Sequence, residues 1–233
     1  MDNELVNFYT LDAVKALEPK VHNPNYAKHG IKLPFRMIII GASGSGKTNI
    51  VMNLITLMEN TFNKIYLYTR NKDEPLYNYL EMAIPDKDFL EIHEGISHLN
   101  SIDLDNHFFG QTLIIFDDLV QEKNQIKINE LYIRGRKIGC SIVYLTQKYS
   151  LVPTTIRENV NYLILKKIAG KRDVLSILRN GSLHAEKEEL LNMYEFCVSG
   201  DDILSFLMID FNAKQEYQFR LNFLHVLDIN FFK

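Results

Sequence analysis

The chain has 233 residues, of which 46% are hydrophobic and 24% are charged. This ordinary balance excludes a disordered chain, a collagen-like fibre and a coiled coil. With 26 Lys and Arg against 29 Asp and Glu, the formal net charge of −3 also excludes a strongly basic nucleic-acid binder, although local basic patches stay open.

Residues 1–33 are polar and interrupted by Pro19, Pro24 and Gly30, which indicates an N-terminal arm with one short helix near 11–17. The apolar run 35–40 is typical of a strand buried on both faces. Apolar residues then recur at helical spacing over 49–59, which predicts a helix there. The apolar run 64–68 predicts a second strand. Residues 70–110 mix short helices with one candidate strand at 89–93.

The second half of the chain continues this alternation. We predict strands at 112–116, 141–145 and 161–165, helices at 129–137, after Pro153, near 173–178 and at 186–196, and a closing hairpin of 206–211 with 215–221. Alternating strands and helices favour an α/β fold with a mostly parallel central sheet flanked by helices. Since no repeat or linker interrupts 34–233, we expect a single domain there.

The cysteines and the first residues of the chain indicate the cellular compartment. Cys140 and Cys197 lie in separate apolar runs and outside any metal-binding motif, so we expect two buried, reduced thiols. The first residues have no basic leader with an apolar core, and no apolar run reaches 18 residues, so we expect neither a secretory signal nor a membrane span.

The strongest motif follows the first strand. Residues 41–48 match the phosphate-loop pattern G-x-x-x-x-G-K-[ST] at every defined position. Such a loop turns backbone N–H groups towards phosphates, and the helix that follows presents its positive dipole end. A chance match in a glycine-rich turn is the alternative, but the flanking strand and helix favour the phosphate site. The residues predicted to bind the nucleotide are Gly41, Ala42, Ser43, Gly44, Ser45, Gly46, Lys47, Thr48 and Asn49.

Polar side chains also end the later strands. Lys47 would contact the β- and γ-phosphates, and Thr48 together with Asp117 would hold Mg²⁺. Asp118 is predicted to orient or deprotonate an attacking water. Gln147 ends the next strand and is predicted to hydrogen-bond the γ-phosphate or that water. Solvated turns and satisfied strand ends are the alternatives for these positions.

Other charged residues have weaker signals. A second cation is usually needed to stabilise phosphoryl transfer, and Arg136 is our first candidate and Arg157 our second, each contributed to a neighbouring subunit. A solvated helix-face charge is the alternative for both. The cluster Lys166, Lys167, Lys171 and Arg172 is interpreted as a solvated surface in preference to a nucleic-acid contact. His93, His98 and His107 have no metal-ligand spacing that we recognise, and we assign them no role.

Five segments, in this order, resemble the small genome-packaging ATPases of large double-stranded DNA viruses, virophages and related elements, within the FtsK–HerA group. The resemblance runs from about Pro34 to Tyr162, and its segments are 38–48, 115–118, 135–142, 145–147 and 156–159. It implies a RecA-like P-loop NTPase core that acts as a ring, with nucleotide between subunits and DNA in the pore. Asp117 matches the family's Mg²⁺ aspartate, Asp118 lies where the group often has Glu, and Arg136 lies in the region that supplies the trans-acting arginine. Relatives often have His after that arginine, where this chain has Lys137.

The resemblance therefore implies an ATP-hydrolysing DNA translocase that packages viral double-stranded DNA into the capsid. Implied cofactors are ATP and Mg²⁺. Implied partners are double-stranded DNA, further copies in a homo-oligomeric ring, and capsid vertex or portal proteins. The implied location is the host cytoplasm (virus factory), with the virion as a second one. A small-molecule P-loop kinase is the alternative, although no arginine-rich lid follows the acidic strand. A nucleotide-gated scaffold without turnover is another, against which the acidic pair and Gln147 argue.

Overall fold

The computed structural model describes residues 5–17, 20–104, 110–179, 183, 185–200 and 202–233. His107, to which no role was assigned, lies outside these ranges, as does Pro19 of the predicted arm. Within them, no helix is both long and apolar enough to cross a membrane.

A single nine-stranded sheet organises the described residues, with strand order β3-β2-β4-β5-β1-β6-β7-β8-β9. The strands are β1 Arg36–Ile40, β2 Lys64–Thr69, β3 Leu90–Glu94, β4 Thr112–Asp117, β5 Cys140–Thr146, β6 Tyr162–Leu165, β7 Leu207–Asp210, β8 Phe219–Leu221 and β9 His225–Val226. Strands β1 to β6 pair in parallel, and β7, β8 and β9 add antiparallel pairs at one edge. The predicted mostly parallel α/β architecture is confirmed.

Helices cover both faces of the sheet, with α3 and α4 packed in one apolar cluster and α5 to α9 in the other. The described helices are α1 Asp12–Lys15, α2 Tyr26–His29, α3 Lys47–Leu57, α4 Pro75–Ala83, α5 Ser97–Ser101, α6 Ile126–Arg134, α7 Thr154–Glu158, α8 Lys171–Arg179 and α9 Lys187–Val198. Helix α6 ends before Gly135, earlier than predicted. A Cβ at Gly135 would lie 2.5 Å from the Leu131 carbonyl oxygen, so this glycine allows the chain to turn closely against the helix, and Arg136 lies in the turn.

Alternation along the strands explains the two cores. Ile38 and Ile40 of β1 face one apolar cluster, whereas Met37 and Ile39 face the other, and all four are fully buried. Since successive side chains point to opposite faces, a strand covered on both sides must be apolar at nearly every position.

Both cysteines are free and buried, as expected. Burial raises the pKa of the Cys140 thiol to about 12, and it raises the pKa of the Cys197 thiol to about 12 as well. Since the thiolate is the reactive form of cysteine, both side chains behave as small apolar core residues.

The register of the parallel strands brings the predicted site residues to one edge of the sheet. Ile40 at the end of β1 pairs with Thr146 at the end of β5, and Asp117 at the end of β4 pairs with Leu145. Because all three strands run in the same direction, residues that follow them emerge at the same edge. This edge, called the carboxyl edge below, holds the candidate site.

The closing hairpin differs from its prediction. Its second strand was expected at 215–221, but residues 215–217 form a 3₁₀ turn and β8 begins at Phe219. The side chain of Asp210 accepts a hydrogen bond from the N–H of Asn212 at 3.0 Å, and the N–H of Tyr217 donates to the Lys214 carbonyl at 2.8 Å. These local turns compete with strand pairing, so the connection is longer than three residues.

The residues just before β1 pack against the body of the molecule. His29 and Ile31 are fully buried. The N–H of Lys32 donates to the Tyr162 hydroxyl at 3.0 Å, and the Arg220 guanidinium donates to the Gly30 carbonyl at 3.0 Å. These contacts attach the end of the predicted arm to both the parallel and the antiparallel parts of the sheet.

Candidate nucleotide-binding site

The phosphate loop forms the turn from β1 to α3, as its sequence predicts. Gly44 and Gly46 have φ angles of 69° and 86°, in the left-handed region that favours glycine. Helix α3 begins at Lys47, directly after Gly46. The loop therefore adopts a backbone that glycine permits and ends at a helix N-terminus.

Unpaired donors line this loop. In the described part of the chain, the backbone N–H groups of Gly44, Gly46, Lys47 and Thr48 have no backbone acceptor. The Ser45 hydroxyl is buried without a hydrogen-bond partner there. Unpaired N–H groups at the start of a helix form an anion-binding site, so an anion that accepts from several of them fits this loop.

Lys47 is held inside the same turn. Its Nζ donates to the carbonyls of Gly41 at 3.0 Å and Ala42 at 2.9 Å. Burial lowers the pKa of Lys47, while the negative charges of Asp117 and Asp118 act in the opposite direction. A phosphate would provide the ammonium group with an anionic partner in place of the two carbonyls.

A buried tyrosine contacts the predicted metal-binding aspartate. The Tyr77 hydroxyl donates to Asp117 Oδ2 at 2.7 Å. Burial raises the pKa of Asp117, and the neighbouring Asp118 adds to this, whereas the hydrogen bond from Tyr77 and the charge of Lys47 lower it. A carboxylate that burial destabilises in this way gains from a cation beside it.

The oxygen atoms at this point suit Mg²⁺. Asp117 offers a carboxylate, Thr48 offers a hydroxyl, and a bound phosphate would add further oxygens. Both side chains line the same cavity beside the phosphate loop. The donor set of these residues therefore fits a small, hard cation.

The site opens into a cavity of about 930 Å³. Predicted residues among its lining are Ser43, Gly44, Gly46, Lys47, Thr48, Asn49, Asp117, Asp118 and Gln147. Asp118 adopts a left-handed backbone with φ 54°, which turns the chain directly after β4. The structure thus brings the acidic pair, the phosphate loop and Gln147 to one cavity.

Sequence reasoning missed part of this lining. Arg70, Asn71 and Glu74 reach the cavity from the segment between β2 and α4. They follow the carboxyl end of a parallel strand next to β4, and that position is the signal that could have found them. Glu74 adds a third carboxylate beside Asp117 and Asp118.

Ile203 also lines the cavity. Lys166 holds its segment, because Nζ donates to the carbonyls of Ile203 and of Ser205, the latter at 2.7 Å. Lys166 is 3% exposed, so its interpretation as part of a solvated basic surface is wrong. No local pattern identifies this role, since the partners lie 37 and 39 residues further along the chain.

The candidate arginines lie away from their own chain's cavity. Arg136 precedes β5, whereas the cavity lies beyond its far end, and a seven-residue strand spans roughly 20 Å. Its charge acts on Arg36 at the start of β1, at the same end of the sheet. Arg157 lies over the Tyr149 ring at 5.3 Å and donates to the Thr154 hydroxyl. Neither arginine lines the cavity described above.

A second group of titratable residues lies at the β3 edge. Ligand atoms of Glu91, His93 and His98 lie within 4.8 Å of one another, a proximity that sequence spacing did not indicate. Lys64 Nζ lies 2.6 Å from one Glu91 oxygen, and His93 lies 2.9 Å from the other. The carboxylate is thus engaged by an ammonium group and an imidazole.

A family model described as Poxvirus A32 protein matches residues 25–210 of the chain. The chain belongs to the Poxvirus A32 protein family. It is similar to the DNA packaging protein OPG160 of Variola virus, with 27% identity over 173 residues, covering 70% of this chain and 64% of that protein. The match thus spans less than two thirds of this relative's length.

Solved structures share the fold. The genome packaging NTPase B204 from Sulfolobus turreted icosahedral virus 2, in complex with ATP-gammaS, has a TM-score of 0.59 at 13% identity, covering 84% of this chain and 100% of that one. Its complex with AMPPCP has a TM-score of 0.61 at 15% identity, covering 83% of this chain and 99% of that one. The predicted resemblance to viral genome-packaging ATPases is confirmed.

Proposed function

We propose that this protein is an ATP-hydrolysing DNA translocase that packages viral double-stranded DNA into the capsid. One observation supports it above the others: the phosphate loop, Asp117, Asp118 and Gln147 line a single cavity at the carboxyl edge. Membership of the Poxvirus A32 protein family, with a relative named as a DNA packaging protein, supports the DNA-packaging part. The bound ATP analogues of similarly folded proteins support ATP as the nucleotide.

The proposed roles follow from the chemistry of each side chain. Unpaired amides of the phosphate loop bind the phosphates, and Lys47 exchanges its carbonyl partners for phosphate oxygens. Thr48 and Asp117 hold Mg²⁺, which when bound neutralises charge that develops on the phosphates. Asp118 orients or deprotonates the attacking water.

Gln147 and the arginines complete the proposal. Gln147 hydrogen-bonds the γ-phosphate or the water from the end of β5. Because Arg136 lies at the opposite end of β5 from its own cavity, it would serve the cavity of a neighbouring copy in a homo-oligomeric ring. Arg157 is the second candidate for this role.

The remaining partners and the location follow from the packaging role. Double-stranded DNA is the proposed polymer substrate, and capsid vertex or portal proteins are proposed docking partners. The host cytoplasm (virus factory) is the proposed site of action, and the virion is a second location. Residues 34–233 are proposed as a single ATPase domain.

Phosphate release from MgATP tests the enzymatic part. Wild type should release phosphate without an added acceptor, and Lys47→Ala should lower the rate at least ~100-fold, since it removes a charge at the transferred group. The matched control is Lys214→Ala, an exposed lysine in the β7–β8 connection, which should leave the rate unchanged. Both variants should melt within a few degrees of wild type.

Two results would contradict the proposal. Transfer of phosphate to a nucleoside with no release to water would favour a small-molecule kinase. Tight ATP binding with no release, also with DNA present, would favour a nucleotide-gated scaffold.

A further inference from the structure

We propose that Tyr77 is a positioning residue for the metal-binding carboxylate of Asp117. This inference rests on the proposed nucleotide site. It assigns to α4, a helix outside the sequence motifs, the task of holding this metal ligand in place before the nucleotide arrives.

The sequence of α4 explains how Tyr77 reaches this position. Pro75 occupies the first turn, where its missing N–H costs nothing. Tyr77 and Leu80, three residues apart, form the buried face of the helix. Tyr77 is fully buried, so its ring is fixed by packing and its hydroxyl is the part that touches the site.

The hydrogen bond of that hydroxyl is directional. It has one proton, which it donates to Asp117 Oδ2 at 2.7 Å. This bond fixes the orientation of the carboxylate and leaves Asp117 Oδ1 for a cation.

Other buried tyrosines make different contacts. The Tyr132 hydroxyl donates to the Met37 carbonyl at 2.8 Å, and the Tyr144 hydroxyl donates to Gln125 at 3.1 Å. Those contacts satisfy a polar group in the core, whereas Tyr77 contacts a predicted metal ligand. Groups that orient metal ligands in this way typically change metal affinity ~10- to 100-fold when removed.

The test separates metal binding from turnover. A fluorescent ATP analogue is titrated with wild type and Tyr77→Phe, first in EDTA and then at increasing Mg²⁺. We expect Tyr77→Phe to raise the Mg²⁺ concentration for half-maximal effect ~10-fold or more, with affinity in EDTA unchanged within about twofold. Tyr79→Phe is the matched control, because Tyr79 lies on the same helix and is 62% exposed; it should match wild type.

A double variant tests the route of the effect. If Tyr77 acts through Asp117, adding Tyr77→Phe to Asp117→Asn should cause a smaller further change in Mg²⁺ dependence than it causes alone. An unchanged Mg²⁺ dependence in Tyr77→Phe, or full additivity in the double variant, would overturn the inference.

A second measurement keeps the tyrosine in place, in case Tyr77→Phe does not fold. In protein labelled with ¹³Cζ-tyrosine, the signal that Asp117→Asn perturbs should also shift when Mg²⁺ is added to the nucleotide complex. No shift would overturn the inference. Failure of wild type to bind the nucleotide with or without Mg²⁺ would instead overturn the proposed function.

Discussion

Gly46 offers a quantitative test of the contact between the phosphate loop and the Ile203 segment. In Gly46→Ala, the new Cβ would lie 2.9 Å from the Ile203 carbonyl oxygen and 3.0 Å from its Cγ1. Lys166 donates a hydrogen bond to that same carbonyl. The segment therefore cannot move away without weakening a buried hydrogen bond.

Two costs add up at Gly46. An alanine at φ 86° costs about 1–2 kcal/mol, because Cβ crowds the backbone in the left-handed region. Overpacking against the held carbonyl adds about 1–3 kcal/mol. Gly44→Ala is the matched control, since its φ is 69° but nothing lies within 4 Å of the added Cβ. It should show only the first cost.

Urea denaturation of both variants measures the difference. We expect Gly46→Ala to lose about 1–3 kcal/mol more unfolding free energy than Gly44→Ala. Equal losses in the two variants would refute the reasoning, because they would mean that the Ile203 segment does not press on the loop.

Three further outcomes are expected. Burial lowers the pKa of His29 to about 4, so between pH 6.5 and 4 the unfolded chain binds a proton that the folded chain does not. When the pH falls from about 7.5 to about 5, wild type should therefore lose roughly 2 kcal/mol more unfolding free energy than His29→Asn in urea titrations. Equal losses in the two proteins would contradict this expectation. Arg220→Met breaks a buried ion pair with Asp210 at 2.9 Å and should cost about 3–5 kcal/mol in urea denaturation, whereas a loss under about 1 kcal/mol would contradict the expectation. Asp118→Asn should lower the rate of phosphate release ~100-fold or more with nucleotide affinity retained. Glu74→Gln should lower that rate less than about tenfold. The reverse ranking would assign the role of general base to Glu74.

The phosphate loop could be predicted because its chemistry is local. Consecutive residues set the turn, the donors and the helix start, and the structure places them accordingly. Asp117 and Gln147 could be placed for a topological reason, since parallel strands deliver their final residues to one edge. Neither inference needed the contacts of any distant residue.

Tyr77, Lys166 and Ile203 could not be predicted for the opposite reason. Tyr77 looks like any core residue of a short helix, and only the fold brings its hydroxyl to a residue 40 positions away. Lys166 was grouped with its charged neighbours, although its partners are the carbonyls of a later segment. Contacts that depend on tertiary packing leave no periodic signal in the chain.

The response of phosphate release to double-stranded DNA tests the central claim most directly. Purified protein is assayed with MgATP at low and moderate salt, with and without linear double-stranded DNA, alongside Lys47→Ala. A translocase should release phosphate faster when DNA is present, and more salt should weaken that stimulation because phosphate-backbone contacts are screened. A rate that DNA does not change at either salt concentration would contradict the account.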